Sequence, residues 1–222
     1  MLYDNIKKKI IAHGHVLKLT ISEPEPVYLK RSTLISSSRP IISKPQKFGT
    51  KWSAAKSFFL GAPLSVNHWT CKGSTAEIKA GLGYFGEVIE VPVKPDEPVF
   101  INTDYYLGHR GALGTDTQKI AKKEFWFMTK MSGTGSVILH VPVGCEGLRL
   151  ADDVFVLDHR YAAAIWGDFD ITGQELDVKS WAKSGETDNV IMSGQCELIL
   201  SKAKSSSQSS SGIIGSLLNI FT

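Results

Sequence analysis

The feature of this 222-residue sequence that most limits its fold is a short pattern that occurs three times. In each copy a turn-forming residue precedes a Val, an aromatic residue and an aliphatic residue, and a polar stretch then leads to another apolar residue. The copies occupy residues 26–34, 98–106 and 153–161. Short runs rich in Val, Ile, Phe and Tyr between turn residues are typical of β-strands. Each copy is therefore predicted to contain one strand and the start of the next.

A second element recurs in step with the first. A polar residue and a Gly precede an aliphatic segment three times, and the glycines, Gly73, Gly133 and Gly194, are 60 and 61 residues apart. Because Gly adopts positive φ at little cost, all three are predicted to be structural glycines at hairpin turns. The sequence thus predicts three tandem β-modules, at about residues 15–81, 82–143 and 144–204, within one domain 1–204. A lone module of this size buries little, so we expect one shared core with pseudo-threefold symmetry.

The sequence also predicts three long loops and a C-terminal tail. The longest predicted connections are residues 36–57, which are also the most basic, 108–123 and 168–188. A Ser-rich linker and a short apolar tail form residues 205–222. The tail is too short to span a bilayer, and it is expected to dock on the domain, on a neighbouring subunit or on a lipid interface.

The small net charge of +3 conceals an asymmetry. Residues 1–60 carry 11 Lys and Arg against 3 Asp and Glu, whereas residues 61–222 carry 14 against 19. Such a basic N-terminal region could bind phosphates or an anionic membrane, although dispersed lysines are also typical of a solvated loop. The predicted interaction surface combines this region with the tail. Its members are Lys44, Lys47, Lys51, Trp52, Lys56, Ile213, Ile214, Leu217, Leu218 and Phe221.

The three cysteines are widely spaced, form no CxxC pair and follow no evident signal peptide. This pattern favours reduced thiols in an intracellular protein. We expect a cytoplasmic location, or a mitochondrial one for a eukaryotic chain with a processed or absent presequence. Cys145 is the thiol predicted to be exposed, while Cys71 and Cys196 are predicted to be buried.

Catalytic and cofactor motifs are weak. Residues 81–86 match GxGxxG, but the alternating segment that follows is a predicted strand and not the helix that a dinucleotide site needs. His13 and His15 share one side of an extended segment, as in a cupin metal site, yet neither a nearby carboxylate nor a matching third His follows. We therefore expect no enzyme, no cofactor and no metal.

Aromatic strands followed by Ser-Gly-x-Gly and an aliphatic strand, as in residues 125–140, resemble those of the AIM24 family (altered inheritance of mitochondria), a former domain of unknown function. Residues 86–91 and 147–150 resemble the starts of its modules, and the resemblance extends over about residues 15–202. It implies a triplicated β-sandwich or double-stranded β-helix like that of the tryptophan RNA-binding attenuation protein. It also implies a link, in eukaryotic members, to mitochondrial organisation and biogenesis.

These observations predict a non-enzymatic β-scaffold that acts through protein–protein or membrane-surface contacts. Its protein partner is unknown, and exposed strand edges favour a homo-oligomer. Peripheral membrane contact through the tail is a further expectation. Two alternatives remain open: a cupin-like protein that binds a small ligand or metal, and a single-stranded RNA-binding protein. Nucleic acid is the less favoured partner because the main body is acidic.

Overall fold

A computed structural model describes residues 13–14, 16–47, 65–121, 126–173 and 189–202. The fold is all-β, as predicted, apart from a single 3-10 turn at His159–Tyr161 in the described chain. The strands are β1 (His13–Gly14), β2 (Leu17–Ile21), β3 (Val27–Lys30), β4 (Leu34–Ser37), β5 (Ile42–Lys47), β6 (Ser65–Thr70), β7 (Ala76–Ala80), β8 (Gly86–Val93), β9 (Val99–Ile101), β10 (Tyr106–Lys119), β11 (Phe127–Pro142), β12 (Glu146–Arg149), β13 (Val154–Asp158), β14 (Ala162–Gly173) and β15 (Asn189–Leu200).

One set of antiparallel pairings recurs along the chain. The long strand β11 pairs with β8, β9 and β10, and β15 pairs in the same order with β12, β13 and β14. We call β2–β7 the first segment, β8–β11 the second and β12–β15 the third. In the first segment each long strand is divided in two, so that β7 pairs with β2 and β4 while β6 pairs with β3 and β5. This recurrence supports the predicted threefold repeat, which remains an interpretation of the pairing.

The corners between strands recur as well. The register shifts by one residue near the start of β4, β10 and β14, which leaves Ile35, Leu107 and Ala163 as the extra residues of three bulges. Next to each bulge, a backbone N–H within or just after the partner strand donates to a backbone carbonyl of the connection that precedes the bulge. The pairs are Gly81 to Thr33, His140 to Tyr105 and Ser201 to Tyr161. These bulges and hydrogen bonds give equivalent positions in the three segments.

The long strands correct two sequence predictions. Gly133 and Gly194 have φ of 119° and 116°, but they lie inside β11 and β15 and not at hairpin turns. A Cβ at Gly133 would lie 2.3 Å from a carbonyl oxygen of β10, so positive φ and the absent side chain let the two strands bend together. Only Gly73, with φ of 66°, lies at a turn, between β6 and β7.

All three predicted loops differ from the structure. Within the predicted loop 36–57, residues 42–47 form β5 and pair with β6. Residues 108–119 belong to β10, and β14 continues through residue 173. These last two stretches contain Gly and polar residues that are typical of loops, but hydrogen bonds to β11 and β15 hold them extended. Residues 48–64 and 174–188, which include most of the other predicted loop residues, lie outside the described part of the chain.

The segments join through two further strand pairs. β3 pairs with β10, and β9 pairs with β14, so that twelve of the described strands form one sheet. The remaining strands form a separate sheet in the order β2-β7-β4. β5 ends the large sheet and carries Lys44 and Pro45, which are typical of a strand edge that resists aggregation.

Three apolar clusters form the core, and each draws side chains from several segments. β8 is buried along almost its whole length, whereas β2 and β7 alternate between buried and exposed residues. The three cysteines form no disulfide and all are buried, so the predicted exposure of Cys145 is wrong. Cys145 is fully buried in the cluster that also contains Val91, Val137 and Ala164.

Candidate functional site

An open cleft of about 810 Å³ lies between the second and third segments. Its walls come from the end of β8 and the turn that follows it, from the β12–β13 connection and from the bent parts of β14 and β15. The polar and aromatic residues that line it are Lys94, Asp96, Glu97, Arg149, Trp166, Asp168, Gln195 and Glu197. These residues come from four separate sequence segments, and for that reason no sequence motif marks the cleft.

The most buried polar group of this cleft is the Glu197 carboxylate. The Trp166 indole N–H donates to Glu197 Oε2 at 2.8 Å, and both side chains are about 6% exposed. Cys196 lies beside them, and burial, together with the nearby Glu197 and Asp168 carboxylates, raises the pKa of its thiol to about 11. The thiol is therefore protonated at neutral pH and unsuited to nucleophilic attack. The cleft can hold a polar ligand, but its cysteine does not supply a reactive group.

A second polar cluster surrounds Lys30 at the corner between the first two segments. Lys30 Nζ donates to the carbonyl of Thr103 at 3.0 Å. Burial lowers the pKa of this ammonium, and the nearby Asp104 carboxylate opposes that effect. Burial raises the pKa of the hydroxyl of Tyr105, the residue that follows Asp104. The hydrogen bond connects two corners of the fold, which is the arrangement expected of a structural contact.

An exposed apolar end lies near this corner. Residues 81–85 connect β7 to β8, and there Phe85 is 76% and Tyr84 39% exposed. Val143, 44% exposed, follows Pro142, which pairs with Gly86 beside Phe85. We call Tyr84, Phe85 and Val143 the apolar end of the domain.

His140 fixes the loop that carries these aromatic residues. The Leu82 N–H donates to His140 Nδ1 at 2.8 Å, and the Tyr84 hydroxyl donates to the His140 carbonyl. The Tyr84 and His140 rings stack with centroids 4.8 Å apart. Burial lowers the pKa of His140, while a backbone hydrogen bond with Gly86 acts in the opposite direction. The neutral imidazole therefore holds the loop in place, and Phe85 projects from a supported backbone.

The chain leaves the described domain at the same end. Lys202 Nζ lies 3.2 Å from the position that a Cβ on Gly144 would occupy, directly after Val143. The Ser-rich linker and the apolar tail follow Lys202 in the sequence. The last described residue therefore lies near the apolar end of the domain.

Two members of the predicted interaction surface lie among the described residues. Lys44 is exposed on edge strand β5, and Lys47 ends the same strand. The other members of the predicted surface, Lys51, Trp52, Lys56, Ile213, Ile214, Leu217, Leu218 and Phe221, lie outside the described residues. Sequence reasoning missed the apolar end, although two adjacent aromatic residues between glycines at 81–86 were a usable signal.

The cofactor motifs can be compared with the fold directly. The GxGxxG segment at residues 81–86 leads into strand β8 and not into a helix, as predicted. In the described ranges no three His, Cys, Asp or Glu side chains are grouped as metal ligands would be. Within those same ranges no helix has the length and apolar content needed to cross a lipid bilayer.

The chain was compared with protein families and with solved structures. The model of the family described as mitochondrial biogenesis AIM24 matches residues 10–202. A Streptococcus pyogenes protein of known crystal structure superposes with a TM-score of 0.66 at 12% sequence identity, and the match covers 96% of this chain and 99% of that one. At this identity the likeness concerns the fold alone. No curated protein matches the sequence.

Proposed function

Since the chain belongs to the mitochondrial biogenesis AIM24 family, we propose that it is a non-enzymatic scaffold that binds a membrane surface through the apolar end of its domain. The observation that carries this proposal is the 76% exposure of Phe85 on a loop held by His140, next to the point where the chain continues to its apolar tail.

Physical chemistry favours a membrane surface for this end. An exposed Phe ring beside a partly exposed Tyr ring suits the boundary between headgroups and acyl chains, where aromatic side chains are enriched. The tail adds a second apolar element on a short linker, and a single weak anchor gives only marginal membrane binding. Because the linker ties the tail to the domain, contact of either anchor with the membrane raises the effective concentration of the other at the surface.

Flotation with liposomes tests this proposal. The full chain should float with vesicles of phosphatidylcholine and phosphatidylserine. Both Phe85→Ser and deletion of residues 205–222 should weaken binding, because partial burial of one Phe contributes about 1.5 kcal/mol, or about tenfold in partitioning. Ile42→Ser is the matched control, since Ile42 is 43% exposed but lies on the edge strand β5.

Two results would count against membrane binding. If none of these proteins floats, the membrane proposal fails. If the full chain, Phe85→Ser and the deletion variant all float equally well, the apolar end and the tail are not the contact. A protein recovered with the full chain but lost with Phe85→Ser would point instead to a protein partner at the same end.

The cleft favours a second candidate function, binding of a small polar ligand. Its volume of about 810 Å³ falls in the range of small-molecule sites, and the paired Trp166 and Glu197 give it one fixed polar group. Thermal-shift measurements with a panel of amines, amino acids and nucleosides test this function. A ligand that stabilises the wild type but not Arg149→Ala would support it, and no stabilisation by any member would remove the support.

The RNA-binding alternative remains a prediction. The residues that suggested it are Lys51, Trp52, Lys56, Phe58, Phe59, His68 and Trp69. His68 and Trp69 lie on β6 and are partly buried, whereas the other five lie outside the described residues. Affinity for single-stranded RNA that falls steeply with salt would support it.

A further inference from the structure

We propose that the cleft between the second and third segments binds a free amino acid, with the carboxylate of the ligand at Arg149 and its ammonium group at Asp168. This inference rests on the second candidate function, small-ligand binding in the cleft, and names the class of ligand. It is independent of the proposed membrane contact.

Three side chains that line the cleft lie side by side across strands β12, β15 and β14. Arg149 is opposite Glu197 in the β12–β15 pair, and Trp166 is opposite Glu197 in the β14–β15 pair. Residues directly opposite on paired strands share one face of the sheet. The Trp166 indole N–H donates to Glu197 Oε2 at 2.8 Å and holds this carboxylate in the middle of the row.

The wall formed by β12 supplies a group that binds anions. Although Arg149 lies opposite Glu197, its guanidinium forms no ion pair and no hydrogen bond within the described ranges. A guanidinium presents a planar fork of N–H donors that matches the two oxygens of a carboxylate. The carboxylate end of the ligand is therefore placed at Arg149.

The wall formed by β14 supplies negative charge. Asp168 pairs in backbone register with Gln195, but the Gln195 amide donates to Asp152 Oδ2 at 3.0 Å. In the described part of the chain the Asp168 carboxylate has neither an ion pair nor a hydrogen bond. Burial raises the pKa of the Cys196 thiol, and the Glu197 and Asp168 carboxylates add to that effect, so both charges lie close to this thiol. Two neighbouring carboxylates favour an ammonium group on this side of the cleft.

The equivalent row of the second segment is arranged differently. There Pro92, Ser136 and Arg110 lie opposite one another on β8, β11 and β10. The Ser136 hydroxyl donates to Glu90 Oε1 at 2.5 Å, and Arg110 Nε lies 3.9 Å from the same oxygen. The guanidinium and the carboxylate of that row are thus paired with each other. In the cleft the two charges stand on separate strands, as a ligand that carries both charges requires.

The dimensions of the cleft suit a small zwitterion. Neighbouring strands lie about 4.8 Å apart, so the backbones of β12 and β14, on either side of β15, are about 10 Å apart. The long Arg149 side chain and the shorter Asp168 side chain reduce the distance between their charged groups. The carboxylate and the ammonium group of an amino acid, which are joined through one carbon atom, fit such a gap. The volume of about 810 Å³ leaves room for the side chain of the ligand.

Isothermal titration calorimetry of the full chain with the twenty amino acids tests the proposal. At least one amino acid should bind. Its N-acetyl derivative, which lacks the ammonium charge, and its amide, which lacks the carboxylate, should each bind at least about tenfold more weakly. Arg149→Ala and Asp168→Asn should weaken binding by a similar factor. Both side chains are exposed, so thermal unfolding should not change. Asp170→Asn, exposed on the same strand but not part of the cleft lining, is the matched control and should bind normally.

The outcomes separate this inference from the candidate function on which it rests. If an amine or a nucleoside binds and Arg149→Ala weakens it while no amino acid binds, small-ligand binding stands and the inference is overturned. If no compound binds, both are overturned. An amino acid that binds equally well to the wild type, Arg149→Ala and Asp168→Asn would occupy another site, which would also overturn the inference.

Discussion

Protonation of His109 is expected to destabilise this fold between pH 6.5 and pH 4. His109 is 1% exposed, its ring stacks on Tyr28 with centroids 4.4 Å apart, and its Nδ1 lies 2.6 Å from the Tyr106 hydroxyl. Burial lowers the pKa of His109 from 6.5 to about 4. The unfolded chain therefore takes up a proton near pH 6.5 that the folded chain takes up only near pH 4.

The sign and size of the effect follow from this difference. The lowered pKa costs nothing at pH 7.5, because the imidazole is neutral in both states. As the pH falls, the unfolded state binds the proton first and becomes favoured. The loss of stability reaches about 2 kcal/mol at pH 5 and about 3 kcal/mol below pH 4.

Urea unfolding at pH 7.5 and pH 5 measures this loss for the wild type and for His109→Gln. His140, whose pKa burial also lowers, contributes to both proteins, so the informative quantity is the difference between them. The variant should lose about 2 kcal/mol less than the wild type between the two pH values. Tyr106→Phe is the control: it removes the hydroxyl but keeps the burial, and the pH dependence should persist. Equal losses in the wild type and His109→Gln would refute the reasoning.

Three further predictions concern the strands and the cleft. Gly133→Ala should cost more than about 3 kcal/mol, because its φ is 119° and its Cβ would lie 2.3 Å from a carbonyl oxygen, whereas Gly73→Ala, with no atom within 4 Å of its Cβ, should cost about 1 kcal/mol; thermal unfolding compares the two. Trp166→Phe should cost about 2 kcal/mol in urea unfolding, since it leaves the Glu197 carboxylate without its indole donor, and a loss below about 0.5 kcal/mol would contradict that role. Cys196 should react with a thiol reagent at pH 8 at least about tenfold more slowly in the native than in the unfolded protein, because burial raises its pKa to about 11; equal rates would show that the thiol is accessible.

Much of the strand content was readable from the sequence. The predicted starts at residues 26–34 and 98–106 contain β3 and β9, each followed by the next strand. In the third copy the sequence aligned Val154 with Val99, but the pairing places Phe155 there, opposite Met192. Apolar spacing alone does not distinguish a one-residue shift when Val, Phe and Val follow one another.

The glycines at residues 132–135 have a role that the local sequence does not predict. Ser-Gly-Thr-Gly at residues 132–135 has turn composition, yet it lies inside β11 opposite a Gly-rich part of β10. Gly111 and Gly135 face each other there, and a Cβ at Gly135 would lie 2.1 Å from the Arg110 carbonyl oxygen. These glycines allow the bent strands β10 and β11 to approach each other closely. The approach depends on residues of the partner strand that are distant in the sequence.

The sequence by itself determined the all-β class and predicts three similar segments, because strand propensity, turn residues and repeated spacing are local properties of the chain. The family was recognisable from the resemblance of residues 125–140 to its members. Only the tertiary structure decided which strands pair, where the long strands bend and which surfaces stay exposed. Phe85 and Ile35 have ordinary apolar side chains in the sequence, and the cleft residues come from four separate segments. Exposure and cavity shape depend on contacts between distant segments, and no local pattern records those contacts.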